Sequence, residues 1–326
     1  MIQPLELKLN LSVKLSADVI STTSKLWNII LASRNGELDA VKKLVEECPE
    51  LIYAQYNYTP PIHFAVREGH LDLVRYLLNN GAHDPAYKTY PFLDKLSTIA
   101  VDRGHLEIAS LLEQYENDPS LCKFSGDNGE IIYDKADLEK EFQRAVNHNE
   151  IEKVKALLKT NPEFALDETA SWSEGILMMP SNRNDRELID LLLSYGARVP
   201  LMSKWGRAYY FKHYDMAAHL LEKGMNPNHK TWHHVTLLHD MAQEGNIPKA
   251  ELLLRHGAAI NPIEEEYQST PLGMAARWGH LEMVKYLLRQ GADPTMAGAI
   301  WSTPVTWARK KRYPEVELAL VNAGAS

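Results

Sequence analysis

The feature that most constrains this chain is a spacing. Leucine pairs stand at Leu77-Leu78, Leu111-Leu112, Leu157-Leu158, Leu192-Leu193, Leu220-Leu221, Leu253-Leu254 and Leu287-Leu288, most of them 33 to 35 residues apart. A glycine–histidine pair keeps the same beat at Gly69-His70, Gly104-His105 and Gly279-His280, with Gly245-Asn246 as a variant. Self-similarity at a fixed period of this length is the mark of a stacked repeat, in which each unit buries its apolar face only against its neighbours.

The clearest unit runs from Ser269 to Thr295. Thr270 stands where a helix N-cap belongs, and Pro271 takes the first helical position, where its missing N–H costs nothing. Leu272, Ala275 and Ala276 give this helix a narrow apolar face that lets another helix approach closely. Gly279 ends it in a position suited to left-handed backbone. Leu281, Val284, Leu287 and Leu288 recur at helical spacing on a second helix, which Gly291 ends, and Asp293-Pro294 begins a turn. Two short antiparallel helices and a turn make the unit.

The chain resembles the ankyrin-repeat family, whose unit of about 33 residues opens Thr-Pro-Leu-His-x-Ala. The segments that carry the resemblance are Pro60-Pro61-Ile62-His63-Phe64-Ala65, Thr236-Leu237-Leu238-His239-Asp240-Met241, Thr270-Pro271-Leu272-Gly273-Met274-Ala275 and Thr303-Pro304-Val305-Thr306-Trp307-Ala308. Gly-Ala after the second helix recurs at 81–82, 196–197, 257–258, 291–292 and 324–325. The expected fold is an all-α solenoid of about nine helix-turn-helix repeats over residues 24–326, with β-hairpin-like fingers. The resemblance implies a binding solenoid and a concave surface made by the fingers and first helices. It does not name the partner.

Three segments break the period. In residues 1–23, Leu5, Leu7, Leu9, Leu11, Val13 and Leu15 alternate with polar residues, which predicts an extended arm. The arm is expected to pack along the first repeat; pairing with a copy of itself, or mobility, are the alternatives. The step from Leu111 to Leu157 is 46 residues, and Asn128-Gly129 between Phe124 and Ile131-Ile132 is a two-residue hairpin signal, read as an elongated finger at about 116–136. Asp127, Asn128, Asp134 and Asp137 do not meet calcium-loop spacing. The step from Leu192 to Leu220 is 28 residues, and the first helix before it is degenerate at Met178-Met179-Pro180.

A net charge of −8 argues against a nucleic-acid partner. The two cysteines, Cys48 and Cys122, point to free thiols and a cytoplasmic setting. No apolar run is long enough to span a membrane, and no cofactor motif is present, so neither a membrane nor a cofactor is expected. Most finger segments carry a tyrosine or tryptophan, a residue type that anchors protein interfaces. The expected partner-binding set is Tyr56, Tyr58, Tyr87, Tyr90, Trp172, Trp232, Tyr267 and Trp301, bordered by Arg67, Arg103, Arg277 and Trp278 at the ends of first helices. The other reading of the finger aromatics is that they stack and stiffen the fingers. Glu264-Glu265-Glu266 reads as a solvated acidic rim that could select a basic partner. The leading function is thus a non-enzymatic scaffold for another protein or peptide. The alternative is a small-molecule or metal pocket, catalytic in one form, in the irregular repeats 5 to 7, lined by Trp172, Trp205, Tyr209, His213, Trp232, His233 and Asp240.

Overall fold

The computed structural model describes residues 1–82, 84, 86–121 and 129–326. These residues form two compact units, Gln3–Asp134 and Lys135–Ser326 together with Met1–Ile2.

In the first unit the helices follow in pairs: Thr23–Asn35 with Leu38–Glu47, Pro61–Glu68 with Leu71–Asn79, and Leu96–Arg103 with Leu106–Glu116. Leu26, Ile29 and Ile30 of the first pair, and Leu73, Val74, Leu77 and Leu78 of the second, are buried at the helical spacing that the sequence shows.

The N-terminal arm is not one strand. Leu5–Lys8 is a helical turn, and within the alternating stretch from Leu5 to Leu15 only Ser12–Lys14 (β1) is a strand. It is the centre of a three-stranded antiparallel sheet, flanked by Ile20–Thr22 (β2) and Glu130–Ile132 (β3). The reason for the helical turn is that two consecutive residues, Glu6 and Leu7, are both buried. A strand would send them to opposite faces. Glu6 goes inward because its Oε1 accepts a hydrogen bond from the Tyr56 hydroxyl at 3.0 Å. The elongated finger is likewise corrected in its described part: β3 returns to pair with β1, with Ser12 opposite Ile132 and Lys14 opposite Glu130. Phe124 and Asn128, on which the hairpin signal rests in part, lie outside the described residues, as do Cys122 and Asp127.

The second unit continues with Asp137–Asn147 and Ile151–Thr160, Met178–Arg183 and Arg186–Ser194, Gly206–Tyr209 and Tyr214–Glu222, Leu237–Glu244 and Ile247–Arg255, Pro271–Arg277 and Leu281–Arg289, and Pro304–Lys311 and Pro314–Asn322. The degenerate first helices are short, six residues at Met178–Arg183 and four at Gly206–Tyr209. Thr270 caps its helix as expected, its Oγ1 accepting from the Gly273 N–H at 3.2 Å. Asn149 takes the left-handed conformation assigned to the missing glycine, with φ +60°.

One device joins neighbouring repeats within both units. At four of the second helices an imidazole at the helix start reaches back to a last-turn carbonyl of the preceding first helix. His70 Nε2 meets Arg34 O at 2.9 Å and His105 Nε2 meets Arg67 O at 3.2 Å. His213 Nε2 meets Asn182 O at 2.9 Å and His280 Nε2 meets Gln243 O at 2.6 Å. These are carbonyls that a helix cannot satisfy internally. Between Asp137–Asn147 and Met178–Arg183, Arg183 does the work, donating to Asn147 O at 2.8 Å and Val146 O at 2.9 Å. The ring lies against the glycine of the preceding turn, so a Cβ added at Gly69 would stand 2.5 Å from His105 Cε1.

Gly69 and Gly104 share one backbone conformation, φ +83° and +84°, yet nothing lies within 4 Å of a Cβ at Gly104. Alanine at Gly104 therefore costs only the left-handed strain, about 1–2 kcal/mol. Gly69→Ala is expected to cost roughly 1–3 kcal/mol more, because the His105 ring must leave its carbonyl. Thermal and urea unfolding of the two variants checks this; equal losses would show that the ring does not hold the turn.

Candidate functional site

The finger segments and first-helix ends carry most of the proposed binding residues, and the structure separates them by burial. In the first unit Tyr56, Tyr90 and Arg67 are buried, and Tyr87 and Arg103 are half-buried. The Tyr87 hydroxyl is 3.2 Å from His63 Nδ1. Arg67 and Arg103 converge on one carboxylate, Glu68, at 2.7 and 3.2 Å. Only Tyr58 of this group is exposed.

In the second unit Trp232, Tyr267 and Arg277 are buried, and Trp278 and Trp301 are half-buried. The Arg277 guanidinium stacks 3.9 Å from the Tyr267 ring centre, 4.1 Å from Trp278 and 5.5 Å from Trp307. Trp307 Nε1 donates to Ser269 Oγ at 2.7 Å, and Trp301 meets Trp307 edge to face. A cation among three rings is favourable where water is excluded. These aromatics stiffen successive fingers by packing on one another. As anchors for a partner, Tyr56, Tyr90, Trp232, Tyr267, Arg67 and Arg277 are corrected: their surfaces are already spent inside the fold.

The acidic rim is corrected too. Glu264 and Glu266 are buried. Glu264 folds back on its own finger and accepts from the N–H groups of Glu266, Tyr267 and Ser269 at 2.6 to 3.1 Å. Burial pushes its carboxyl up to about 7, against those N–H bonds. Glu266 Oε1 meets His233 Nδ1 at 2.7 Å.

What remains on the surface of this unit is Trp172 of the expected set, with apolar residues outside that set. Trp172 is 67% exposed on the loop between Asp167 and Gly175, and Ile300 is 90% exposed on the last finger. Ile263 and Met296 are exposed on neighbouring fingers. Backbone strain presents Trp172: Ser171, Trp172 and Ser173 have φ of +54°, +59° and +62° in succession. Three consecutive non-glycine residues in left-handed backbone are costly, of order 1 kcal/mol or more each. The loop is anchored at its start by Asp167, whose Oδ1 accepts from Thr169 N–H at 2.9 Å and whose Oδ2 meets Lys135 and Gln143.

The central pocket does not form as expected. His213 is used on the Asn182 carbonyl, His233 on Glu266, and Trp205 and Tyr209 are half-buried. Asp240 faces Arg207 at 3.8 Å. The network there joins His229, one of the histidines concentrated in repeats 6 and 7, to Ser203 and Glu174, which no motif marks. Ser203 Oγ is 2.8 Å from His229 Nε2, and the Glu174 carboxylate accepts from Lys204 N–H and Trp205 N–H, both at 3.0 Å. No spacing in the sequence links Glu174 to residues 30 positions on. The space among Ser203, Arg207, His229 and Asp240 is about 10 Å³, room for one water and no ligand. A groove of about 580 Å³ opens elsewhere in this unit, beside the stretch 196–201.

Comparison with known proteins fits this architecture. The family model for ankyrin repeats (3 copies) matches residues 29–123 and 205–297. Curated relatives include the rat Palmitoyltransferase ZDHHC17, 35% identical over 83 residues, which is 26% of this chain and 13% of that protein. The zebrafish Putative palmitoyltransferase ZDHHC13 is 35% identical over 97 residues, 29% of this chain and 15% of that protein. The chain thus spans well under a fifth of the length of these relatives. Among the described residues no helix is long and apolar enough to cross a membrane.

Burial pushes the Asp240 carboxyl up to about 7, opposed by Arg207 and reinforced by Glu244. A carboxyl whose folded value is raised binds protons more tightly folded than unfolded, so it costs stability as pH rises from about 4 to 7, and the full cost persists above 7. Asp240→Asn is therefore expected to raise the melting temperature at pH 8, by roughly 1 kcal/mol or more, and to have little effect at pH 4. Melting curves of both proteins from pH 4 to 8 read this out; a parallel offset at all pH values would show that Asp240 is ionised throughout.

Proposed function

The chain belongs to the ankyrin-repeat family, and from that premise we propose that it is a protein-binding scaffold whose apolar finger tips, led by Trp172, hold a segment of a partner protein. Ankyrin repeats generally bind proteins, and the coarse reading follows from the family alone. The observation that carries the finer one is the strained presentation of Trp172, an indole left in water by a loop that spends three left-handed residues to keep it there. Large exposed aromatics on a rigid support bury much area at little entropic cost, and strain at such a site marks function more often than chance. Ile263, Met296 and Ile300 supply further apolar contact on the later fingers. The acidic balance of −8 favours a protein over a nucleic acid as the partner, and the low cysteine content favours the cytoplasm as its setting.

Affinity capture from the source cell, quantified by mass spectrometry, tests this with three variants. Trp172→Ala and Ile300→Asp are expected to reduce the captured partner about tenfold or more while leaving the melting temperature within ~2 °C. Trp232→Ala, which opens a buried site, is expected to lower the melting temperature instead, by roughly 3–5 kcal/mol of stability. Capture unchanged by both surface variants would overturn the finger-tip reading.

A further inference from the structure

The left-handed run that presents Trp172 has to be held from outside, because such backbone relaxes unless its surroundings over-determine it. Within the turn, the N–H groups of Ser173, Glu174 and Gly175 reach Thr169 O, Ser171 O and Ala170 O at 3.3, 3.2 and 3.0 Å. These bonds between neighbours travel with the loop and do not tie it to the rest of the unit. Asp167 pins the start of the loop. The pin at the other end is Glu174, the residue that follows the run, and it is only 2% exposed.

What grips Glu174 is the short helix Gly206–Tyr209. Oε1 of Glu174 accepts from Lys204 N–H and Oε2 from Trp205 N–H, both at 3.0 Å. These donors lead into the helix, whose N-cap residue, Trp205, makes no side-chain cap bond, so a carboxylate from the neighbouring repeat serves as the cap. Tyr210, the residue after the helix, is buried, and its hydroxyl donates to the Glu174 carbonyl. Backbone packing closes around this grip: Gly175 has φ +89°, and a Cβ there would stand 2.7 Å from Pro200 Cδ and 3.1 Å from the Tyr210 hydroxyl oxygen. One residue is therefore held at its carboxylate and at its carbonyl from the two ends of a single helix. At the other joints of this unit an imidazole or a guanidinium meets a carbonyl; here a carboxylate meets two N–H groups, the charge-assisted and stronger kind of bond.

We propose that Glu174 is the positioning residue for Trp172: anchored on the Gly206–Tyr209 helix, it holds Ser171–Ser173 in left-handed backbone and so sets the direction in which the indole leaves the surface. This role rests on the finger-tip reading for its meaning in binding, whereas the aim of the indole is a property of the free chain. The shortened repeat thereby has a task, as the support from which the contact residue is aimed.

Fluorine NMR of the full chain labelled with fluorotryptophan reads the indole directly. The chain has seven tryptophans, and Trp172→Phe assigns the line of interest. Glu174→Ala is expected to move that line from its wild-type position and to lower the ratio of presented to relaxed loop about tenfold or more, as loss of charge-assisted hydrogen bonds implies. Glu174→Gln, which keeps one acceptor oxygen, and Tyr210→Phe, which keeps the ring, are expected to move it less, and they carry the test where Glu174→Ala does not fold. Gly69→Ala, which costs stability in the first unit, is expected to leave the line in place. A Trp172 line at its wild-type position in every one of the Glu174 and Tyr210 variants that folds overturns the proposal. So does a line that Gly69→Ala moves as far as the Glu174 variants do, because general loosening would then account for it. Affinity capture separates this role from the finger-tip reading. If Glu174→Ala moves the line while Trp172→Ala leaves capture unchanged, Glu174 aims the indole and the finger-tip reading fails. If Trp172→Ala cuts capture while no Glu174 variant moves the line, the finger-tip reading stands and the positioning role fails.

Discussion

The bond from an imidazole of one repeat to a last-turn carbonyl of the previous repeat is the interaction on which the rest of this structure depends. A short helix leaves its last carbonyls without partners, and here the helices are as short as four to thirteen residues, so a large share of their backbone is terminal. Packing alone would bury Leu, Ile and Val but leave those carbonyls facing a neighbour with nothing to donate. Histidine at the start of the next second helix solves both problems: it donates Nε2–H to the carbonyl and lays its ring on the glycine turn. His70, His105, His213 and His280 each do this, and Arg183 does it with a guanidinium where the sequence has no histidine to offer. Stability in such a chain is a sum of neighbour terms, and where a histidine opens the second helix this bond is a polar part of the term.

The fingers follow the same logic with different chemistry. A finger has no helix to fix it, so its order has to come from side chains. Glu264 ties its own finger by gathering N–H groups from Glu266 to Ser269. Arg277 ties fingers to helices by stacking among Tyr267, Trp278 and Trp307. His239 ties one repeat to the next: its Nδ1 faces Thr236 N–H and its Nε2 lies 3.1 Å from both Pro262 O and Ser269 O. Burial holds its pKa down at about 4, so the ring is neutral and can serve one acceptor role and one donor role at once. Aromatic and charged residues are dense in the fingers because the fingers are built from them, and the composition there reflects construction before recognition.

That is why the repeat was legible in the sequence and the surface was not. Gly-His, Leu-Leu and Thr-Pro are local patterns, and each is answered by a local structure: a left-handed turn, a buried helix face, an N-cap. Burial in the fingers is decided by residues a whole period away, as when Ser269 receives the Trp307 indole across 38 positions. Nothing local distinguishes Trp232, which is buried, from Trp172, which is not. The arm misled for a related reason. The alternation from Leu5 to Leu15 is real, but Glu6 is drawn inward by Tyr56, 50 residues on, and only Ser12–Lys14 finds strands to pair with. One of those strands, Glu130–Ile132, comes from the far end of the unit, a partner that periodicity has no means of announcing.

The departures from the period carry the information that the period itself cannot. A strictly periodic stack presents the same face at every step and discriminates only by surface substitutions. The long step between Leu111 and Leu157 contains the boundary between Asp134 and Lys135 at which the chain divides into its two units. The short step between Leu192 and Leu220 leaves an irregular stretch, residues 196–201, that borders a leucine-lipped groove. The strained run at Ser171–Ser173 belongs to the loop that walls that groove, so one irregular stretch, residues 162 to 204, supplies both the exposed indole and much of the groove's lining. Regular repeats build the support, and the places where the repeat fails are where side chains are left available to something other than the chain itself.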